Sequence, residues 1–207
     1  MGAELYILTP PRIEAGFADR LEAVVRAGSA SAVQIRLKDH GPDEVARLAP
    51  DLIAATRAGG AAAIVNDDPA LAAKLGADGV HVGQEDASVR EARAAVGRSA
   101  IVGATCHDSR HLAMLAGEQG ADYVAFGAFF DTVTKTPKTR ASLDILTWWS
   151  DLFEIPCVAI GGITLQTAPS VIEAGADYLA VSGGIWSHPE GPEAAARGFA
   201  SLLSSQR

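Results

Sequence analysis

Short apolar runs alternate with longer amphipathic segments along almost the whole chain. An apolar run of four or five residues that stops at glycine or polar residues is typical of a buried strand. The segments between the runs carry apolar residues three or four positions apart, which indicates helices. The predicted strands are 5–9, 32–36, 61–65, 79–82, 100–104, 123–126, 157–160 and 178–181. The predicted helices are 17–27, 42–57, 70–75, 88–96, one that ends at 118, 143–152, 166–174 and 192–203.

This alternation predicts an α/β fold with about eight strand–helix units. Strands that are apolar on both faces belong to parallel sheets covered by helices. At 207 residues the best match is a closed (β/α)8 TIM barrel that forms a single domain over 1–207. An open, doubly wound sheet is the alternative.

The tripeptide Gly-Ala-Asp occurs three times, at 76–78, 120–122 and 175–177. Each copy follows a predicted helix and precedes a predicted strand. The glycine can adopt the left-handed conformation that ends a helix. The repeat therefore predicts three equivalent helix-to-strand turns with a structural role.

Composition and charge narrow the possible partners. The chain is 48% hydrophobic and 20% charged, with a net charge of −8, so bulk attraction to nucleic acid or to an anionic membrane is disfavoured. The first residues lack the basic region of a signal peptide, and no apolar run reaches membrane-spanning length. We expect a cytoplasmic protein whose two cysteines, Cys106 and Cys157, are buried and reduced.

In a TIM barrel the loops after the strands carry the active site. Arg36, Lys38 and Lys135 would lie there with Gln34, Thr132 and Thr134. Three cations that converge from two strand ends suit a highly charged ligand such as pyrophosphate. Taken alone, a single lysine of this kind is more often a solvated surface charge.

Asp67 and Asp86 follow neighbouring strands and could together hold one Mg²⁺ ion. Each could instead cap the helix that follows it. Gly161-Gly162 and Ser182-Gly183-Gly184 end the last two strands, where backbone N–H groups bind phosphate in such barrels, although simple tight turns are the alternative. His81 lies within a strand and could be structural, whereas His40, His111 and His188 lie on surface-type stretches.

Five segments of the sequence resemble the thiamine phosphate synthase family. They are Val33-Gln-Ile-Arg-Leu-Lys38, Asn66-Asp67, Gly76-Ala-Asp-Gly-Val-His-Val-Gly-Gln-Glu-Asp86, the 127–135 loop with its Thr-x-Thr-Lys, and Val158-Ala-Ile-Gly-Gly-Ile163. They occur in the family's order almost from end to end. The resemblance implies a (β/α)8 barrel that joins a hydroxymethylpyrimidine diphosphate to a thiazole phosphate, with Mg²⁺ and release of pyrophosphate.

The resemblance also implies roles for individual residues. Pyrimidine diphosphate would contact Gln34, Arg36, Lys38, Asn66, Thr105 and Lys135, with His81 as a further substrate-binding candidate. Asp67 and Asp86 would bind Mg²⁺, and the thiazole phosphate would contact Thr132, Thr134, Gly162, Ser182, Gly183 and Gly184. Arg36, Lys38, Thr105 and Lys135 are the catalytic candidates. The implied reaction is dissociative, through a pyrimidine cation that the thiazole nitrogen captures.

The chain departs from the family pattern at Leu37, Asp68 and Asp131 and in the 182–184 turn. Two of these changes add negative charge near the expected pyrophosphate. The alternatives are a thiazole tautomerase-like barrel that would use His107, a phosphate-handling barrel of sugar or tryptophan metabolism, and a non-catalytic barrel that binds a phosphate ligand. A homodimer through the Trp148-Trp149 face is possible, but packing of that face against the barrel is the other interpretation.

Overall fold

The computed structural model describes residues 2–131 and 140–205. Eight parallel strands close into a barrel in sequence order, and β8 pairs with β1. This closure confirms the predicted (β/α)8 barrel and rules out the open sheet. The strands are β1 (Glu4–Leu8), β2 (Ala32–Ile35), β3 (Ala62–Asn66), β4 (Gly79–Val82), β5 (Ile101–His107), β6 (Tyr123–Phe126), β7 (Cys157–Ile160) and β8 (Tyr178–Val181).

Helices follow the strands on the outside of the barrel. Within the described residues they are α1 (Phe17–Gly28), α2 (Pro42–Gly59), α3 (Pro69–Leu75), α4 (Val89–Val96), α5 (Arg110–Glu118), α6 (Asp144–Leu152), α7 (Ala168–Glu173), α8 (Gly183–Trp186) and α9 (Pro192–Ser204). Most predicted element ends agree with the structure to within one or two residues, and two larger differences occur: α8 was not expected, and β5 continues past Ala104 to His107. Of the helices described, none has both the length and the apolar character needed to span a membrane.

Two separate apolar clusters stabilise the fold. The larger lies between the strands and the helices and includes Trp149, which is 1% exposed and donates its indole N–H to the Ile155 carbonyl at 2.7 Å. Trp149 therefore packs against the barrel, as one of the two interpretations proposed. The smaller cluster fills the barrel interior with Tyr6, Leu8, Ile64, Tyr123, Ala125, Val158 and Ala180.

The three Gly-Ala-Asp turns lie at the amino-terminal end of the barrel, opposite the predicted site. Each aspartate accepts a hydrogen bond from a backbone N–H near the start of the preceding strand: Asp78 from Ala63 at 2.8 Å, Asp122 from Val102 at 2.7 Å, and Asp177 from Cys157 at 2.8 Å. Each aspartate N–H in turn donates to the carbonyl of that same residue. The repeat thus joins β3 to β4, β5 to β6 and β7 to β8.

Asp78→Ala is expected to lower the free energy of unfolding by about 1–3 kcal/mol, because the Ala63 N–H loses its acceptor. Burial opposes ionisation of Asp78, but Arg57 and the Ala63 N–H together lower its pKa below the ordinary 3.8. A lowered pKa contributes stability above the ordinary value, so the difference from wild type should shrink as pH falls through 3.8 and below. Urea unfolding between pH 7 and pH 2 measures this.

Asp51→Ala is the matched control, since Asp51 is an exposed aspartate on α2. It should unfold like the wild type at every pH. Equal losses in the two variants would show that the Asp78 contacts do not contribute to stability.

Candidate active site

A cavity of about 470 Å³ opens at the carboxyl ends of β1, β7 and β8. It brings together several of the residues predicted to bind substrate, along with others that were not predicted. The lining includes Thr9, Arg36, Asp131, Gly161, Gly162, Ser182, Gly183, Gly184, Ser187 and His188. Arg36 thus lines the same cavity as the glycine-rich turns, although it follows β2, on the other side of β1 from β8.

Gly161 and Gly162 have φ angles of +99° and +69°, which favour glycine strongly. The loop after β6 also runs directly over them. A Cβ atom at Gly162 would lie 2.4 Å from the Asp131 carbonyl oxygen, and the Phe130 N–H donates to the Gly161 carbonyl at 3.1 Å. These glycines therefore let the β6 loop and the end of β7 form one continuous wall of the cavity.

Two carboxylates and an ammonium meet at the ends of β2, β3 and β4. Lys38 forms an ion pair with Asp67. Burial, together with the neighbouring Asp67 carboxylate, raises the pKa of Asp86, while the Gly83 N–H and Lys38 oppose the shift. Burial is the largest cause of this pKa shift, and the proximity of the Asp67 carboxylate adds to it.

The alternative that Asp67 and Asp86 cap helices is wrong. Asp68 caps α3 by accepting the Leu71 N–H at 2.8 Å, and Ser88 caps α4 in a capping box with Glu91. Asp67 instead has a left-handed backbone (φ 67°), and its N–H donates to the His81 carbonyl. In the described part of the chain no cluster of three or more metal-binding side chains occurs, so an ion at Asp67 and Asp86 would draw its other ligands from water or substrate.

Arg36 lies between this charged group and the cavity. Burial lowers its pKa, and the carboxylates of Asp67 and Asp39 oppose that shift. Its backbone N–H donates to the Thr9 hydroxyl at 2.8 Å, which fixes the chain where β2 ends. A partly desolvated guanidinium in this position interacts more strongly with an anion than a solvated one.

Inside the barrel, hydrogen bonds between uncharged polar side chains connect several of the residues that are predicted to contact the pyrimidine substrate. Gln34 donates to the Tyr6 hydroxyl at 3.2 Å, and the Tyr6 and Tyr123 hydroxyls are 2.8 Å apart. His81 contacts the Tyr123 hydroxyl through Nδ1 and Thr105 Oγ1 through Nε2, both at 2.8 Å. Burial, then the nearby Arg36, lowers the pKa of His81 to about 4, so the ring is uncharged at pH 7.

Asn66 ends β3, directly before the two aspartates. Thr132, Thr134 and Lys135 lie outside the described residues, so their predicted roles remain predictions. Asp131, immediately before them, forms an ion pair with Arg140. The two acidic departures from the family pattern thus have local partners: Asp131 has Arg140, and Asp68 caps α3.

Sequence reasoning missed Tyr6, Tyr123, Thr9 and His188. The two tyrosines were interpreted only as members of apolar strands, and a short strand gives no sign of which residue across the barrel it faces. His188 was interpreted as a surface residue, yet it lines the cavity. The side chain of His40, also expected at the surface, is only 4% exposed.

Comparison with known proteins gives a consistent result. A family model described as thiamine monophosphate synthase matches residues 5–185. The thiamine-phosphate synthase of Rhodospirillum centenum is 58% identical over 196 residues, covering 94% of this chain and 95% of that protein. The chain belongs to the thiamine monophosphate synthase family.

Two further relatives agree in sequence and in structure. The thiamine-phosphate synthase of Erythrobacter litoralis is 52% identical over 206 residues, which is 98% of this chain and 96% of that protein. The solved thiamine phosphate pyrophosphorylase of Pyrococcus furiosus superimposes with a TM-score of 0.85 at 28% identity and covers 98% of this chain and 96% of that one. The predicted family, its transferase class and its function in making thiamine phosphate are confirmed, in preference to the tautomerase-like and non-catalytic alternatives.

Proposed function

We propose that the chain joins 4-amino-2-methyl-5-hydroxymethylpyrimidine diphosphate to 4-methyl-5-(2-phosphoethyl)thiazole and releases pyrophosphate. The observation that supports this proposal is that two groups of residues suited to anions lie at one barrel mouth. One consists of Lys38 and Arg36 beside the Asp67–Asp86 pair, and the other is the glycine-rich cavity. A reaction with a diphosphate substrate and a phosphate substrate requires both.

In this proposal the pyrophosphate group binds Arg36, Lys38, Asn66 and Lys135. Mg²⁺ would be held by Asp67 and Asp86, and when bound it would neutralise charge on the departing pyrophosphate. The fit of these residues to a divalent cation is supported by their chemistry and proximity, since two interacting carboxylates at neighbouring strand ends supply oxygen ligands. Lys38 would exchange its contact with Asp67 for one with a phosphate oxygen.

The thiazole phosphate would bind in the cavity. Gly162, Ser182, Gly183 and Gly184 line it, and backbone N–H groups at such turns suit a phosphate. Thr132 and Thr134 are assigned to the same phosphate from the sequence. His188 also lines the cavity and is a further candidate, because its Nδ1 accepts the Glu190 N–H at 3.2 Å and its Nε2 is left as a donor.

We further propose a dissociative reaction, in which pyrophosphate leaves before the thiazole nitrogen attacks the pyrimidine methylene carbon. The protein then acts by positioning and by charge neutralisation, with no covalent intermediate. The cysteines support this proposal. Burial raises the pKa of both Cys106 and Cys157 to about 12, so neither thiol is an available nucleophile at pH 7.

The remaining expectations stay proposals. We propose that residues 1–207 form one domain. We also propose that the protein works in the cytoplasm on small-molecule substrates, without nucleic acid or membrane. A homodimer is the oligomer to test for. The net charge of −8 supports the lack of attraction to anionic polymers.

One assay tests the proposed reaction. The purified protein, incubated with both substrates and Mg²⁺, should form thiamine phosphate and pyrophosphate in equal amounts. Chelation of the metal with EDTA should stop the reaction, and added Mg²⁺ should restore it. Well-folded protein that forms neither product with fresh substrates would refute the proposal.

A further inference from the structure

Five side chains form one continuous hydrogen-bonded chain inside the barrel. It runs from Gln34 through Tyr6, Tyr123 and His81 to Thr105, with contacts of 3.2, 2.8, 2.8 and 2.8 Å. Gln34, Tyr6, Tyr123 and His81 are all at most 7% exposed, whereas Thr105 is half-buried at the barrel mouth. The chain therefore leads from the closed interior to the substrate side.

The donors and acceptors of this chain are fixed in one direction. The Gln34 Nε2 group can only donate, so the Tyr6 oxygen accepts from it. Among the described residues the other neighbour of the Tyr6 hydroxyl is the Tyr123 oxygen, and the Tyr6 hydrogen must point there to be satisfied. The Tyr123 hydroxyl then donates to His81 Nδ1.

His81 transmits the same direction to Thr105. Nδ1 accepts the Tyr123 hydroxyl and therefore carries no proton, so the single proton of the buried ring is on Nε2. The Nε2–H donates to Thr105 Oγ1. Since Thr105 accepts from the ring, its own hydroxyl hydrogen is free to point toward the substrate.

A glycine in the neighbouring strand leaves room for the Tyr123 ring. A Cβ atom at Gly103, in the middle of β5, would lie 1.9 Å from the Tyr123 ring carbon that bears the hydroxyl. Glycine inside a strand weakens it, and it is often found where another group approaches closely. The Tyr123 ring also packs against His81 with a centroid distance of 5.5 Å and an interplanar angle of 21°. The hydroxyl is thus held at the one place where it can reach both Tyr6 and His81.

We propose that Tyr6 and Tyr123 are positioning residues that hold His81 as its Nε2–H tautomer and make the Thr105 hydroxyl a hydrogen-bond donor to an acceptor nitrogen of the substrate's heteroaromatic ring. This hydrogen-bonded series of side chains would select an uncharged substrate ring that has an acceptor nitrogen facing the Thr105 hydroxyl. The identity of the ring as the pyrimidine rests on the proposed function, whereas the tautomer of His81 does not.

The tautomer is tested first, without substrate. Two-bond ¹H–¹⁵N correlation spectra of the intact protein, with His81 assigned by comparison with His81→Gln, distinguish a protonated Nε2 from a protonated Nδ1. At pH 7 we expect Nε2 to be protonated and Nδ1 to show the shift of an unprotonated acceptor. A protonated Nδ1 overturns the proposal. This result does not depend on whether the protein makes thiamine phosphate.

The substrate contact is tested by kinetics. Tyr123→Phe and Thr105→Val should each raise the KM of the pyrimidine substrate about tenfold, the effect of losing one hydrogen bond, and leave the KM of the thiazole phosphate unchanged. The double variant should be no worse than either single variant, because both changes remove the same contact. Thr105→Ser keeps the hydroxyl and should restore the wild-type KM.

Other kinetic outcomes would contradict the proposed positioning role of the hydrogen-bonded tyrosines. Additive losses in the double variant, or equal increases in both KM values, would show that Tyr123 has only a packing role. Tyr6→Phe interrupts the chain one step earlier and serves as the second variant if Tyr123→Phe folds poorly. If the wild type forms no product while the His81 spectrum is as expected, the proposed function fails and the tautomer assignment stands.

Discussion

Asp67→Asn is expected to lower kcat/KM by about 100-fold or more, while the melting temperature stays close to that of the wild type. Asparagine tolerates the left-handed backbone of this position (φ 67°), so the fold is preserved. The loss of one of two carboxylates removes several kcal/mol of charge stabilisation from the departing pyrophosphate, and about 1.4 kcal/mol corresponds to tenfold in rate. Steady-state kinetics over a range of Mg²⁺ concentrations measures the loss and any increase in the Mg²⁺ requirement.

The neighbouring Asp68 provides a control with the opposite expectation. Asp68→Ala removes the N-cap of α3 and should lower the free energy of unfolding by about 1 kcal/mol, with little change in kcat/KM. If the Asp67 variant loses stability and keeps its activity, the metal assignment is wrong.

Arg36→Met is expected to lower kcat/KM by about 100- to 1,000-fold. Arg36 is the partly buried guanidinium between the charged group at β2–β4 and the cavity. The removal of one preorganised charged donor from a developing anion typically costs about 3–4 kcal/mol of transition-state stabilisation. Competition by added pyrophosphate should weaken in parallel, which links the loss to that anion.

Two further variants sharpen this experiment. Arg26→Met removes an exposed arginine that pairs with Glu22 on α1, and it should leave kcat/KM unchanged. Arg36→Lys keeps the charge without the planar fork and should recover only part of the activity. Full activity in Arg36→Met would contradict the assignment of Arg36 to pyrophosphate.

The barrel could be predicted from the sequence because most strands are short, largely apolar runs and the turns between elements contain glycine or polar residues. The same pattern set the limits of the prediction. The short helix α8 covers only Gly183–Trp186, which is too short to show a helical period. β5 runs on through Thr105 to His107 past an irregularity in its pairing with β6, and such an irregularity leaves no mark in the hydrophobic pattern.

The site was predictable only where strand ends determine it. The meeting of Lys38, Asp67 and Asp86 follows from parallel strands that end at one edge. Helix capping by Asp67 and Asp86 could be excluded only from the structure, which shows that Asp68 and Ser88 cap the two helices. The Tyr6–Tyr123 contact joins residues 117 positions apart, across the barrel, and no local pattern reports it.

The three aspartate turns at the amino-terminal end also influence which parts of the barrel unfold together. Their hydrogen bonds close segments of only 15, 20 and 20 residues. Closing such short loops costs little entropy, and contacts of short range favour rapid folding. The strand pairs β3–β4, β5–β6 and β7–β8 are therefore natural cooperative units. Local opening, as seen by amide hydrogen exchange, would follow the boundaries between these pairs, and β1 and β2 would complete the closure.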